Sequence, residues 1–298
     1  MWKKLKNFSE LVMFEHTIFS AAFSLMAISI ALFKKYSSQE FSWRENLTLL
    51  LLCTIALISA RNFAMGFNRF CDRDIDRKNN RTKNRPSVDG RISAKSVALF
   101  CVFNAVIFIL VSYCINSLAF GLSFLFLVIL ALYSYMKRFS VMAHYFLGVC
   151  LALAPISGVI AILGVVPLWS VLLALGVLFW VAGFDLLYSL QDMEFDKKEG
   201  LFSFPSRFGI DKTLFFSRLS HFLAVVFWLA FVMFIHGGLF AYLGLFVAMG
   251  MLAYEQYLVQ KDLLNIPRAF FVTNGYLGFI FLGFIFLDIF YKIFFLHF

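Results

Sequence analysis

The chain has 298 residues, of which 62% are hydrophobic and only 14% are charged, and its formal net charge is +9. Soluble domains carry roughly a quarter charged residues, so this composition excludes an ordinary soluble enzyme, a disordered chain and a disulfide scaffold. Apolar runs long enough to cross a hydrocarbon core of about 30 Å recur along the whole chain. The composition therefore predicts one integral membrane domain over residues 1–298, with the lipid bilayer as its surroundings.

Nine apolar runs, separated by polar breaks, predict nine transmembrane helices. The first run has no small-residue cleavage site after it, so it is interpreted as a retained span rather than a signal peptide. The third and fourth spans, and the seventh and eighth, are joined by very short links and are predicted to form tight hairpins. The predicted spans cover residues 14–33, 47–67, 97–115, 118–136, 141–163, 167–190, 214–235, 238–260 and 269–291.

Lysine and arginine are distributed unequally between the two sides of this topology. The side that holds the N-terminus carries 21 of the 26 Lys and Arg residues, and the opposite side carries four. Because loops rich in these residues stay in the cytoplasm, the N-terminus is predicted to be cytoplasmic. The expected location is the cell inner (plasma) membrane, as a multi-pass protein. Nucleic acid is not an expected partner, since the positive charge follows the membrane topology.

A polar stripe lies at the predicted cytoplasmic end of the second span. At about 100° per residue, Asn68, Asp72 and Asp76 fall within about 80° of one another. Arg61 lies on the same face, about 20° from Asn68 and deeper in the span. Asp74 points about 120° away, so it is expected to be a solvated or salt-bridged surface charge.

A second stripe lies at the predicted cytoplasmic end of the sixth span. Four side chains share one helical face: Asp185, Tyr188, Asp192 and Asp196. Glu194 faces the other way. The two stripes end at the same membrane face, so their carboxylates are expected to converge at the mouth of a cavity between spans two and six.

Clustered carboxylates need cations, because they otherwise repel one another. Mg²⁺ fits, since it typically takes one or two carboxylates together with the phosphate oxygens of a substrate. The pair of acidic stripes is therefore predicted to bind a diphosphate through Mg²⁺. The alternative is that these acids only form salt bridges at the helix ends. Six basic side chains are expected to neutralise the remaining phosphate charge: Arg81, Lys83, Arg85, Lys137, Arg138 and Lys197.

These residues resemble the UbiA superfamily of intramembrane polyprenyltransferases. Asn68, Asp72 and Asp76 match its Asn-Asp-x-x-Asp-x-x-x-Asp motif, with Arg69 in place of the usual second-position Asp. Four further segments are similar to the family: the run from Asp185 through Asp192 and Asp196 to Ser203 with Phe208-Gly209, residues 81–86, residues 133–138 and residues 15–18. Residues 81–86 and 133–138 are most similar to the 4-hydroxybenzoate polyprenyltransferase branch.

The resemblance implies an all-α, polytopic membrane protein with nine transmembrane helices around a central cavity open to the bilayer. It implies transfer of a prenyl group from a polyprenyl diphosphate to a small aromatic acid in respiratory quinone synthesis. Tyr133 and Lys137 are expected to contact the diphosphate, together with Arg138, Lys83 and Tyr188. The expected Mg²⁺ ligands are Asn68, Asp72, Asp76, Asp192 and Asp196.

Two residues are assigned to the aromatic acceptor. An arginine inside a span costs at least about 2.5 kcal/mol on insertion scales, so Arg61 should have a partner. The carboxylate of an aromatic acid would suit it, although a structural bond to a carbonyl or a protein carboxylate stays open. Asp185, the deepest acid of its stripe, is the candidate to accept the proton that the acceptor loses.

Other interpretations remain open at this point. The acceptor could instead be a dihydroxynaphthoate of menaquinone synthesis, haem, chlorophyllide or a glycerol phosphate. An ion-coupled transporter is the alternative from another class, because intramembrane charges also bind or relay ions. His16 is expected to be a packed residue near the start of the first span. The remaining histidines show no ligand spacing and are assigned no chemistry: His144, His221, His236 and His297.

Overall fold

The computed structural model describes residues 2–13, 18–36, 42–268 and 272–295. None of these residues forms a β-strand, so the all-α prediction is confirmed. The helices are α1 (Trp2–Leu11), α2 (Ile18–Tyr36), α3 (Trp43–Cys71), α4 (Arg73–Lys78), α5 (Ala94–Ile115), α6 (Ser117–Met136), α7 (Ala143–Leu163), α8 (Leu168–Ser189), α9 (Met193–Lys198), α10 (Phe204–Phe234), α11 (Leu239–Lys261), α12 (Ile266–Arg268) and α13 (Asn274–Phe295).

Each predicted span overlaps one of these helices. Within the described ranges, eight helices are long and apolar enough to cross a membrane. The helix at the first predicted span, α2, has 19 residues, and the side chains of its first two residues lie outside the description. The chain is therefore a multi-pass membrane protein, and nine is an approximate number of spans.

The largest boundary error is at α10, which begins at Phe204 instead of residue 214. Its first turns are polar, so an apolar run cannot reveal them. They are helical because Ser203 and Ser206 form a capping box and Pro205 occupies the first turn. The helix is kinked at Gly209, whose φ of 78° is a conformation that glycine adopts readily.

The described chain divides into two compact units, residues 1–17 with 42–136 and residues 18–41 with 137–298. A single domain over residues 1–298 stays a prediction. In the first unit, α3, α5 and α6 pack together and α1 lies against them. The ring of Phe8 stacks on Phe100 at 4.9 Å between centroids. Arg91 donates a hydrogen bond to Glu10, which ties α1 to the loop before α5, and another to Asp89 within that loop. Both bonds raise the pKa of Arg91 above its ordinary value.

In the second unit, α8 lies between α7 and α10. A Cβ atom on Gly176 would lie 2.1 Å from the Trp228 side chain, and one on Gly148 would lie 2.3 Å from the Leu178 carbonyl oxygen. Small residues let helices approach closely in membranes, where packing drives their association. The helix that carries the second acidic motif is therefore held closely by its neighbours.

A buried polar network also holds α8 in the second unit. The indole N–H of Trp180 donates to Asn274 at 2.7 Å, and the Asn274 amide donates to Glu255 at 2.8 Å. The side chain of Ser217 donates to the carbonyl of Gly183 at 2.8 Å and accepts from Gln256. Because buried polar groups need partners, these bonds fix α8 relative to α10, α11 and α13.

Candidate active site

The first acidic stripe spans a break between two helices. The predicted phase of this stripe uses helical geometry through residue 76, but α3 ends at Cys71, and Asp72 has a φ of −92° and a ψ of 7° before α4 begins. The backbone bonds from Asp72 to Asn68 (2.9 Å) and from Asp76 to Asp72 (2.7 Å) continue across the break. The four-residue spacing of Asn68, Asp72 and Asp76 is therefore kept across the break. Asp76 is 6% exposed and Asp74 is exposed, as the helical phase predicts.

Arg69 and Asn68 form a hydrogen-bonded chain that leads to Asp72. The Nη1 atom of Arg69 donates to Asn68 Oδ1 at 3.0 Å, and Asn68 Nδ2 donates to Asp72 Oδ2 at 2.9 Å. Arg69 is buried and interacts electrostatically with Asp72 and Asp76. The arginine that replaces the usual acid thus fixes the orientation of the Asn68 amide and adds a positive charge to the motif.

The loop after α4 returns to Asp76. The Nη1 atom of Arg85 lies 2.6 Å from Asp76 Oδ1, and the Thr82 hydroxyl donates to the Asp76 carbonyl at 3.0 Å. Asp76 Oδ2 is buried and has no hydrogen-bond partner among the described residues. Lys83, which we assigned to the diphosphate, is exposed and donates to Asn80 at 3.0 Å. Arg85 is therefore a basic residue of this loop that contacts the acidic motif.

The second acidic stripe also continues through a change of helix type. The helix α8 ends at Ser189, and a 3-10 turn (Leu190–Asp192) leads into α9. Asp192 is 7% exposed and Asp196 is 2% exposed. The Glu194 side chain is 80% exposed and pairs with Lys197, so the predicted division between inward and outward acids agrees with the structure. Asp196 Oδ2 is buried and lacks a hydrogen-bond partner in the described part of the chain.

Asp185, the deepest acid of the second stripe, has a partner that the sequence did not reveal. Its Oδ2 atom lies 2.7 Å from Nδ1 of His144, a residue at the start of α7. The other ring nitrogen of His144 accepts from the backbone N–H of Phe204 at 3.3 Å. Both side chains lie near the same predicted membrane face, which is the one sequence signal that could have linked them.

The other predicted residues lie on α3 and at or just after the end of α6. Arg61 lies within α3, and its Nε atom is buried without a hydrogen-bond partner in the described ranges. Tyr133 interacts electrostatically with Arg69. Lys137 and Arg138 follow the end of α6, and the Lys137 carbonyl accepts from the Phe202 N–H at 2.8 Å.

Tyr188 is partly buried against the apolar cluster of Leu187, Val259 and Ile266, so part of its surface packs within the second unit. The segment 15–17, which includes His16, lies outside the described residues. The predicted role of His16 therefore stays a prediction.

The model of the UbiA prenyltransferase family matches residues 21–285. This chain belongs to the UbiA prenyltransferase family. A UbiA homolog from Aeropyrum pernix K1 has a structure that matches with a TM-score of 0.81 and 28% identity, over 92% of this chain and 98% of that one. The membership confirms the family that the two acidic motifs indicated.

Two further proteins are similar to this UbiA family member. The 4-hydroxybenzoate octaprenyltransferase of Polynucleobacter necessarius subsp. necessarius (strain STIR1) is 31% identical over 164 residues, which are 55% of this chain and 57% of that protein. The match thus covers little more than half of this relative. A UbiA homolog from Archaeoglobus fulgidus bound to DMAPP and Mg²⁺ matches with a TM-score of 0.70 and 20% identity, over 95% of this chain and 99% of that one.

The donor atoms of this UbiA chain are consistent with Mg²⁺. Among the described residues, no group of three or more His, Cys, Asp or Glu side chains is arranged to hold a metal by itself. Mg²⁺ does not require such a group, because it usually keeps water and takes one or two carboxylates plus phosphate oxygens. Each acidic motif supplies one buried carboxylate oxygen that has no partner within the described ranges, on Asp76 and on Asp196. A hard cation that arrives with a diphosphate would satisfy a carboxylate oxygen of this kind.

Proposed function

We propose that this protein is a Mg²⁺-dependent prenyltransferase that moves a polyprenyl group from its diphosphate to the ring of an aromatic acid of the 4-hydroxybenzoate type. The main support is that each of the two acidic motifs has a buried carboxylate oxygen with no partner in the described part of the chain. Further support comes from the relatives named 4-hydroxybenzoate octaprenyltransferase and from the homolog bound to DMAPP and Mg²⁺.

In the proposed reaction the C–O bond of the prenyl diphosphate breaks, and its electron pair stays with the diphosphate. A ring carbon of the acceptor then bonds to the allylic carbon, and the ring loses a proton. Bound Mg²⁺ would supply electrostatic stabilisation of the leaving diphosphate. Four carboxylates and an amide of this chain would hold it: Asp72, Asp76, Asp192, Asp196 and Asn68.

Several other side chains are proposed to bind the diphosphate. Arg85 is bonded to Asp76, so its charge is directed toward the first motif, and Arg69 orients Asn68. Tyr133 and Lys137 would donate to the phosphate oxygens, with a smaller contribution from Arg138. Lys83 and Tyr188 stay in the proposed set as outer contacts, since the structure gives them other neighbours.

Arg61 is the proposed binding residue for the carboxylate of the aromatic acid. A buried guanidinium nitrogen without a partner is costly, and a planar carboxylate can accept two parallel hydrogen bonds from a guanidinium group. Arg61 precedes Asn68 by seven residues, or about 10 Å of helix at 1.5 Å per residue. That distance would place the ring near the reacting carbon of the prenyl donor.

Asp185 is the proposed acceptor for the proton that leaves the ring. Its side chain is 17% exposed, so it is accessible in a way that the buried His144 is not. A carboxylate within hydrogen-bond reach of the acceptor would act as a general base. The proposed location is the cell inner membrane, with the N-terminus and both acidic motifs on the cytoplasmic face.

The proposal is tested with the detergent-purified protein, a radiolabelled polyprenyl diphosphate and two acceptors, 4-hydroxybenzoate and a dihydroxynaphthoate. We expect product with 4-hydroxybenzoate in Mg²⁺ and none after chelation. Product with the naphthoate alone would show that the acceptor is a dihydroxynaphthoate, as in menaquinone synthesis. Full activity without any divalent ion would contradict the diphosphate-binding model. The absence of product with either acceptor, combined with ion flux in proteoliposomes, would favour a transporter.

A further inference from the structure

The second unit contains a buried histidine that the proposed reaction does not use directly. His144 is the second residue of α7, and its side chain is 0% exposed. Its two ring nitrogens contact two other elements, Asp185 on α8 through Nδ1 (2.7 Å) and the backbone N–H of Phe204 at the start of α10 through Nε2 (3.3 Å). The imidazole thus joins the ends of three helices beside the proposed general base.

The contact with Phe204 determines which nitrogen of His144 carries the proton. A backbone N–H can only donate a hydrogen bond, so Nε2 must accept through its lone pair and carries no hydrogen. Phe204 needs such an acceptor, because the first N–H groups of a helix have no partner within that helix. A neutral imidazole then holds its one proton on Nδ1, which donates to Asp185.

This arrangement restricts His144 to a single role. A second proton on the ring would direct an Nε2–H against the Phe204 N–H in a site without solvent exposure, which leaves two buried donors opposed. His144 therefore cannot receive a proton from Asp185 and pass it onward. The bond instead occupies Asp185 Oδ2 and leaves Oδ1 as the remaining acceptor on the exposed end of the pair.

From this geometry we propose that His144 is a positioning residue, which holds the Asp185 carboxylate in one orientation as a fixed neutral donor and takes no part in proton relay. The inference rests on the proposed function, because Asp185 is the general base only in that reaction. The proton taken up by Asp185 would leave from the same exposed carboxylate, not through the protein interior.

Two substitutions each remove one of the two hydrogen bonds of His144 and keep the other. The amide of an asparagine lies where Nδ1 lies in histidine, so His144→Asn keeps a donor for Asp185 and loses the acceptor for Phe204. The longer glutamine places its amide near Nε2, so His144→Gln keeps the acceptor for Phe204 and loses the donor to Asp185. Both variants are uncharged and polar, which makes them matched controls for one another.

We expect His144→Gln to lower kcat about 10- to 150-fold, the range for loss of a hydrogen bond to a charged group. His144→Asn should lower kcat by no more than about threefold. The KM for the prenyl diphosphate should change little in either variant, because the proposed diphosphate ligands are elsewhere. Equal losses in both variants, or a larger loss in His144→Asn, would overturn the proposal and assign His144 to helix packing.

A second measurement does not depend on activity. In the ¹⁵N spectrum of histidine-labelled wild-type protein, the signal removed by His144→Asn should show a protonated Nδ1 and an unprotonated Nε2. The opposite tautomer, or a doubly protonated ring at neutral pH, would overturn the proposal, whatever the activity of the two variants. If both variants misfold, Asp185→Asn identifies the His144 signal instead. If the wild type transfers no prenyl group, the proposed function fails, and this spectrum still tests the pairing.

Discussion

The two helices that carry the acidic motifs differ in how the protein holds them. In the most apolar stretch of the span Trp43–Cys71, 6% of the residues are buried, whereas in the span Leu168–Lys198 the share is 67%. The first motif obtains its order from charge, through Arg69 and Arg85. The second obtains its order from packing. We therefore expect the two motifs to fail in different ways when each is perturbed.

The side chains that bind the acids also differ between the two motifs. Asp76 is bonded to an arginine, which stays charged under any ordinary condition, and Asp185 is bonded to a histidine, His144. The first motif is thus partly neutralised before a metal or substrate arrives. We infer that losing one charge disturbs the first motif less than a shift of α8 disturbs the second motif.

The largest effect is expected from removing an acid whose buried oxygen has no partner among the residues that the structure describes. Asp76→Ala and Asp196→Ala should each lower kcat about 10²- to 10³-fold, the range for removal of one group that stabilises transition-state charge. Steady-state prenyl transfer measures this effect. The matched controls Asp74→Ala and Glu194→Ala remove exposed acids two residues away and should stay within about threefold of wild type. A comparable loss at Asp74 would show that the helical phase of the first motif is wrong.

The next effect concerns Arg61 and the aromatic acid. Arg61→Ala should raise the KM for the acid about 10- to 150-fold, since it removes a buried charged hydrogen bond, and leave the KM for the prenyl diphosphate nearly unchanged. Substrate titrations with the acid and with its uncharged carboxamide measure the effect. Wild type should prefer the acid strongly. If Arg61→Ala keeps that preference, the carboxylate binds elsewhere and Arg61 has a structural role.

A smaller effect is expected when the first motif loses its paired charge. Arg85→Ala should lower kcat about tenfold, because the bond to Asp76 is charged but the guanidinium is partly open to solvent. Lys83→Ala is the control from the same loop, and its exposed ammonium should matter little for transfer. Transfer assays at saturating substrate compare the two. A larger loss at Lys83 would show that it contacts the diphosphate directly and is not an outer contact.

The smallest effect on catalysis, and the clearest on stability, is expected from packing in the second unit. Gly176→Ala should lower the free energy of unfolding by about 1–3 kcal/mol, because the new Cβ would overlap the Trp228 side chain. Gly250→Ala, in α11, meets nothing within 4 Å and should be neutral or slightly stabilising. Thermal unfolding in detergent compares them. Equal stability of the two variants would show that α8 is not held by this contact.

The spans and the phase of both motifs could be predicted from the sequence because they depend on local patterns. An apolar run marks a membrane helix, and a spacing of four residues survives the breaks at Asp72 and at Leu190, since the backbone bonds continue there. The breaks themselves could not be predicted. Neither could α1 (Trp2–Leu11), because a mixed polar and apolar segment of ten residues carries no span signal.

Contacts between residues far apart along the chain could not be predicted from the sequence. His144 and Asp185 are 41 positions apart, and no ligand spacing connects them. Arg85 was one of six basic residues in the expected set, and only the return of its loop onto Asp76 distinguishes it from Lys83. Composition and periodicity describe one element at a time, whereas these pairs depend on how separate elements pack.

The most direct test of whether both motifs act on one diphosphate is a binding measurement. Isothermal titration with an unreactive prenyl thiolodiphosphate, with and without Mg²⁺, would compare wild type with Asp76→Asn, Asp196→Asn and the control Glu194→Gln. We predict Mg²⁺-dependent binding by wild type and Glu194→Gln, and at least about a tenfold loss of affinity in each of the other two variants. Binding by either Asp76→Asn or Asp196→Asn with wild-type affinity and Mg²⁺ dependence would contradict a shared site.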